Sequence, residues 1–206
     1  MPFTSAPTAD RSLVKILVSH AAIWGFPIVM CDISQASLQS TTLLDSEKFI
    51  AIPPACIRIR SNTWDGEILQ TASKENGENK YGLLCHKPLY GSSDAPLRWY
   101  ITIATMMRKY GYLPHRTDIC LFSRRDPETK VVTCLILLHV DDLLMTGTRD
   151  EVDRFHKLLA EFDHGPVEEA TEKNSLLYCG LTIKKRRDSY GITQDEYRGN
   201  ITRTAK

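Results

Sequence analysis

Two adjacent aspartates, Asp141 and Asp142, interrupt the most apolar part of this sequence. The flanking runs, residues 135–140 and 143–145, are almost entirely apolar and predict two buried strands joined as a hairpin. Two-residue hairpin loops favour Asn-Gly or Asp-Gly, because their turns require positive φ angles. An Asp-Asp pair instead places two like charges at the end of a dry sheet, where a bound cation would compensate for them. The alternative is that aspartate simply tolerates turns and caps.

A third carboxylate stands in a similar place. Asp32 ends the apolar run 28–31, which also predicts a short buried strand. If this strand lies beside residues 135–140, Asp32 and Asp141 meet at one edge of the sheet. Carboxylates that converge there could hold two magnesium ions roughly 3.5–4 Å apart, the arrangement that supports in-line phosphoryl transfer. The alternative is a strand-end aspartate that caps the following turn.

The order of predicted elements indicates an α+β fold, because three consecutive strands require an at least partly antiparallel sheet. Helices are predicted at 11–25, at 95–109, after Thr148 and from 195 to about 204. Strands are predicted at 26–33, 81–87, 119–123, 130–140, 143–145, 176–184 and 190–193. We expect a single domain over 1–206. It has a core at about 11–165, a loop insertion at about 61–80, and a C-terminal hairpin and helix at 175–206.

Composition restricts the location and partners of the chain. The charges of the 26 basic and 25 acidic residues nearly cancel, so the net charge does not indicate a nucleic-acid-binding protein. Six scattered cysteines favour reduced thiols over disulfides. The N-terminus does not have the pattern of a signal peptide, and no apolar run approaches the ~20 residues that span a bilayer. We therefore expect a protein that is cytoplasmic, with the nucleus as the alternative, that is not secreted and that does not bind a membrane.

A series of ordered motifs resembles the reverse transcriptase of copia-type retrotransposons. The longest match is Lys-Pro-Leu-Tyr-Gly-Ser-Ser-Asp-Ala-Pro-Leu-Arg-Trp-Tyr at 87–100, and His-Val-Asp-Asp at 139–142 stands where the family has Tyr-Val-Asp-Asp. The other matching segments are 32–38, 118–122, 178–183 and 191–197. Together they cover nearly the whole chain.

The resemblance implies a polymerase palm, an antiparallel sheet backed by helices, with an incomplete fingers region. It implies an RNA-directed DNA polymerase domain in which Asp32, Asp141 and Asp142 form the catalytic triad and bind Mg²⁺ or Mn²⁺. The partners would be an RNA template, a DNA primer, deoxynucleoside triphosphates and the remainder of the retrotransposon polyprotein. Residues expected near the nucleotide or template are Ser37, Leu89, Tyr90, Gly91, Ala95, Pro96, Arg98, Trp99 and His139.

Local charge agrees with this resemblance. Residues 81–125 carry seven basic residues against two acidic ones, and basic residues beside aromatic ones suit a phosphate backbone with stacked bases. An ordinary solvated face explains the same charges, and Tyr90 and Trp99 would equally serve as core residues.

The sequence departs from the family pattern at three points. Ser37 stands where the family has an aromatic ring that lies under the sugar and blocks a 2′-hydroxyl. His139 replaces the tyrosine before Val140. The basic fingers strand expected upstream is not matched. These departures keep a second hypothesis open, a folded but non-catalytic palm remnant that binds nucleic acid at most weakly.

Overall fold

A computed structural model of the chain describes residues 6–41, 48–51, 69–75, 78–85, 88, 92 and 94–194. The helices are α1 (Ser12–Trp24), α2 (Ala95–Lys109) and α3 (Arg149–Leu159), with a short 3₁₀ helix at Ala36–Gln39. The first six strands are β1 (Ile28–Asp32), β2 (Lys48–Ala51), β3 (Leu69–Glu75), β4 (Glu78–Cys85), β5 (Leu113–Pro114) and β6 (Leu121–Arg125). The others are β7 (Val132–His139), β8 (Asp142–Gly147), β9 (Glu168–Glu169), β10 (Leu176–Tyr178), β11 (Leu181–Arg186) and β12 (Ser189–Thr193).

The apolar runs form the centre of a six-stranded sheet with the order β5-β6-β7-β8-β1-β9. Every neighbouring pair in it is antiparallel. The combination of helices with antiparallel sheets confirms the predicted α+β class. The neighbour of β1 differs from the expectation, because β1 pairs with β8 and not with β7. Both strands of the hairpin are equally apolar, so composition could not decide which of them lies beside β1.

Strand β7 shows why the central strands are apolar on both sides. Cys134, Ile136 and Leu138 belong to a buried cluster with residues of α2 and α3. Leu135 and Leu137 belong to a second cluster, with residues of α1, β10 and β11. Because side chains alternate along a strand, a sheet covered on both faces needs apolar residues at every position.

The predicted loop at 61–80 is wrong where the structure describes it. Strand β3 and the start of β4 occupy 69–75 and 78–80, and a three-stranded sheet has the order β2-β4-β3. Backbone pairing, for which side-chain polarity is not decisive, forms this hairpin. Glu75 pairs with Glu78, and the two residues between them are Asn76-Gly77, the dipeptide most typical of two-residue hairpin loops. The polar composition of the surrounding run favours a loop, which is why the strands were not predicted.

The C-terminal part of the described chain is joined to the central sheet by apolar contacts. Leu176, Tyr178, Leu181 and Ile183 lie in the same buried cluster as α1. The division into a core of about 11–165 and a separate C-terminal part stays a prediction. The helix expected from 195 to about 204 lies outside the described residues. No helix within the described ranges is long and apolar enough to cross a membrane.

Candidate active site

The turn between β7 and β8 is formed by Val140 and Asp141, and Asp142 is already the first residue of β8. The expected Asp-Asp loop is therefore displaced by one residue. Val140 has φ +58°, a left-handed value that is unfavourable for a β-branched side chain. Asp141 has no positive φ, so the turn has the pattern of type II′, whose first position normally holds glycine. Such a conformation costs on the order of 1–3 kcal/mol and persists only where its surroundings hold it.

The register of β1 against β8 brings the three aspartates to one end of the sheet. Asp32 is the direct partner of Asp142, so their side chains leave the same face of neighbouring strands. The backbone N–H of Ile33 donates to the carbonyl oxygen of Asp141 at 3.0 Å. This hydrogen bond joins the backbone that follows Asp32 to the turn that carries Asp141.

The electrostatics of these carboxylates are those of a crowded anionic site. Burial and the neighbouring charges of Asp141 and Asp32 raise the pKa of Asp142, while His139 opposes this rise. Burial and the charge of Asp141 also raise the pKa of Asp32. Each ionised carboxylate thus makes the ionisation of its neighbours less favourable.

The donor set suits a hard divalent cation, because Mg²⁺ and Mn²⁺ prefer carboxylate oxygens. A cation between these side chains would offset the repulsion that contributes to the raised pKa values of Asp32 and Asp142. Among the residues that the structure describes, no three His, Cys, Asp or Glu side chains are already closed around a common metal position. Magnesium sites commonly take only one or two carboxylates and complete their shell with water and substrate phosphates. The residues present therefore fit the cation.

His139 lies on the same end of the sheet. It is the cross-strand partner of Asp142 at the end of β7 and forms an isolated bridge with Thr8. Its ring meets the ring of Tyr178 edge-on, with centroids 6.5 Å apart. Its Nδ1 is buried and has no hydrogen-bond partner among the described residues. The tyrosine-to-histidine departure therefore places a ring with a spare polar atom beside the aspartates.

Comparison with known proteins agrees with this geometry. Residues 3–206 match the family described as reverse transcriptase (RNA-dependent DNA polymerase). The chain belongs to this family.

Similar proteins come from plant transposons. The chain is 24% identical over 194 residues to the retrovirus-related Pol polyprotein from transposon RE2 of Arabidopsis thaliana, which covers 94% of this chain and 12% of that protein. It is 25% identical over 144 residues to the polyprotein from transposon TNT 1-94 of Nicotiana tabacum, with 69% of this chain and 9% of that protein covered. It is also 25% identical over 144 residues to the polyprotein from transposon RE1 of Arabidopsis thaliana, with coverages of 70% and 8%. The matched region thus spans about a tenth of each relative.

Trp99 of this reverse transcriptase family member does not lie on the surface. Its side chain is 1% exposed, and its ring meets the ring of Phe162 edge-on with centroids 5.3 Å apart. Its indole N–H donates to the carbonyl oxygen of Val140 at 2.8 Å. A ring enclosed in this way is not available to stack on a base, and its polar atom contacts the turn of the site.

Other predicted nucleotide or template residues lie in or beside α2. Arg98 is buried, and its Nε donates to Asp94 at 2.7 Å. Ala95 is buried and Pro96 is half-buried in the first turn of the helix. Ser37 is 9% exposed and lies in the 3₁₀ helix. Leu89, Tyr90 and Gly91 lie outside the described residues.

A segment in which no site residue was predicted fixes the end of β1. The N–H of Gly165 donates to the carbonyl oxygen of Asp32 at 2.8 Å, and the N–H of Ser34 donates to that of Asp163 at 3.0 Å. The Gln39 side chain accepts from the N–H of Asp163 at 2.8 Å. The acidic composition of residues 163–174 would suit a solvated linker. Their backbone instead anchors the strand that carries Asp32.

The turn between β10 and β11 lies in the matching segment 178–183, which contains no predicted site residue. Cys179 and Gly180 both have positive φ angles there, of +50° and +76°. Burial, with a further contribution from the charge of Asp142, raises the pKa of Cys179 to about 11. The negative charge of Asp142 therefore affects the ionisation of a side chain in this turn.

We predict that Asp142→Asn stabilises the metal-free fold near neutral pH. A carboxyl whose folded-state pKa is raised destabilises the fold once it ionises, so the penalty is present above the folded pKa and disappears as pH falls below the unfolded value of ~3.9. The gain at pH 7 should be about 0.5–1 kcal/mol, typical of one partly solvated charge pair, and should vanish near pH 3.

Urea unfolding in the presence of a chelator, at pH 3 and pH 7, measures this difference. The matched control is Glu128→Gln, an exposed residue in the β6–β7 connection, which should leave the free energy of unfolding unchanged at both values. Destabilisation by Asp142→Asn at pH 7 would contradict the assigned repulsion.

Proposed function

We propose that this chain is the RNA-directed DNA polymerase domain of a copia-type retrotransposon, and that its six-stranded sheet with α2 and α3 is a polymerase palm. The observation that carries the proposal is the direct pairing of Asp32 with Asp142 beside the turn that holds Asp141. Family membership supports the reaction class, and the shared sheet end supports the identity of the reacting centre.

Asp32 and Asp141 are the main metal ligands in this proposal, and Asp142 completes the triad. Bound Mg²⁺, or Mn²⁺ in its place, supplies charge stabilisation for the attacking and leaving oxygens of phosphoryl transfer. The chain's own contribution is to hold the carboxylates at fixed positions. The hydrogen bonds from Ile33 to Asp141 and from Gly165 to Asp32 fix the two backbones that carry them. Because the shell requires substrate phosphates, we expect weak metal binding without a nucleotide.

The proposed substrates are an RNA template, a DNA primer and deoxynucleoside triphosphates. The relatives are named as transposon Pol polyproteins, so the remainder of such a polyprotein is the proposed partner. Ser37, Pro96 and His139 are the described residues that we propose near the nucleotide. Retention of all three aspartates supports a polymerase over the non-catalytic remnant.

We predict that the chain extends a DNA primer on an RNA template when magnesium is present. Asp141→Asn should reduce the rate at least about 100-fold, because several kcal/mol of charge stabilisation depend on the metal site. Gel-resolved extension of a labelled primer measures this, and thermal unfolding confirms that the variant remains folded.

Glu128→Gln is the control for this experiment and should extend primers at the unmodified rate. A folded chain that extends no primer would contradict the polymerase proposal and support the remnant. Equal rates for the Asp141→Asn variant and the unmodified chain would show that the triad is not the reacting centre.

We predict that Ser37→Phe increases the preference for deoxynucleotides over ribonucleotides. An aromatic ring at this position would meet the 2′-hydroxyl, and a steric difference of this kind changes selectivity by about 10–200-fold. Competing ribo- and deoxynucleotides in a single-turnover extension assay measure the ratio. Ser37→Ala, which adds no ring, should leave the ratio unchanged. The same ratio for Ser37→Phe as for the unmodified chain would mean that Ser37 does not line the sugar site.

A further inference from the structure

The turn that carries Asp141 is held in a conformation that its own sequence disfavours. Val140 has a left-handed φ of +58° and a β-branched side chain. Glycine would adopt the same φ freely. The turn therefore needs contacts from outside itself to keep its geometry, and that geometry sets where Asp141 lies relative to Asp32.

Besides the N–H of Ile33, which donates to Asp141, α2 supplies a contact to this turn. The Trp99 indole N–H donates to the Val140 carbonyl oxygen at 2.8 Å, so the bond reaches the strained residue itself. The acceptor is a backbone atom and does not depend on the side chain at position 140. The surrounding side chains restrict rotation of the indole, because the ring is 1% exposed and meets the ring of Phe162 edge-on.

Trp99 also contacts Phe162, which belongs to the segment that holds the backbone around Asp32. Phe162 directly precedes Asp163, whose carbonyl oxygen accepts from the N–H of Ser34. Gly165, two residues further on, donates to the carbonyl oxygen of Asp32. Trp99 thus lies between two backbone segments, one of which carries Asp141 and the other of which holds the end of β1.

We propose that Trp99 is a positioning residue that fixes the Val140–Asp141 turn, and through it the distance between the carboxylates on β1 and on the turn. The proposal rests on the proposed polymerase function only for its kinetic consequence. Trp99 does not touch substrate. It acts by donating to the carbonyl oxygen of the strained Val140, so loss of the N–H should let the turn relax and move Asp141 relative to Asp32, whereas Asp142 is held beside Asp32 by the β1–β8 pairing.

A double-mutant cycle on positions 99 and 140 separates positioning from simple core packing. Trp99→Phe keeps an aromatic ring and removes the donor, whereas Val140→Gly removes the strain and keeps the acceptor. We expect Trp99→Phe to lower kcat about tenfold with KM for the deoxynucleotide nearly unchanged. In the Val140→Gly background the same change should lower kcat less than about threefold, because contacting residues couple. Equal losses in both backgrounds would indicate only a packing role and would overturn the proposal.

Hydrogen–deuterium exchange gives a readout that does not require activity. In Trp99→Phe, the peptide covering residues 138–145 should exchange about 2- to 10-fold faster, as expected for the loss of one hydrogen bond. The peptide covering 176–193 is the internal reference for any global destabilisation and should change less. The matched control is Tyr190→Phe, which removes an aromatic donor to the Phe26 carbonyl oxygen at the opposite end of β1, a bond of 2.9 Å.

The kinetic experiment and the exchange experiment together distinguish failure of this inference from failure of the proposed function. If the unmodified chain extends no primer, the polymerase proposal fails, and the exchange experiment still decides the role of Trp99. If exchange at 138–145 rises no more in Trp99→Phe than in Tyr190→Phe, the indole does not fix the turn and the inference is wrong.

Discussion

The register of β1 against β8 is the constraint on which the rest of the site depends. Because side chains alternate along a strand, a slip of one residue would move Asp32 to the opposite face of the sheet from Asp142. The apolar neighbours prevent that slip. Cys31 and Leu143 are direct partners, and both belong to the cluster under α2 and α3. The core thus fixes the register, and the register places the carboxylates.

The site is assembled at a cost in free energy. Burial and mutual repulsion raise the pKa values of Asp32 and Asp142, and Val140 occupies a left-handed conformation. Strain and crowded charge commonly cluster at functional sites, where the surrounding fold compensates for them. Here the compensation is visible in three hydrogen bonds to backbone carbonyl oxygens, which are donated by Trp99, Ile33 and Gly165.

The sequence predicted that Asp32 ends a strand, because an apolar run that stops at a carboxylate is a strong local signal. It could not predict that β8 lies beside β1, since β7 is equally apolar. It also misplaced the turn by one residue, because nothing local favours a left-handed Val140. The role of Trp99 depends on contacts between distant segments, which no spacing in the sequence reveals. The strand at Leu69–Glu75 was missed because its side chains are polar, although Asn76-Gly77 marked the hairpin.

The central claim is that the carboxylates at the end of β1 and at the β7–β8 turn hold a divalent cation together. An anomalous-difference map from crystals grown with Mn²⁺, a primer–template and a deoxynucleoside triphosphate tests it most directly. We expect a manganese peak about 2–2.5 Å from carboxylate oxygens of both Asp32 and Asp141. A manganese ion bound by the triphosphate alone, with neither carboxylate within that distance, would contradict it.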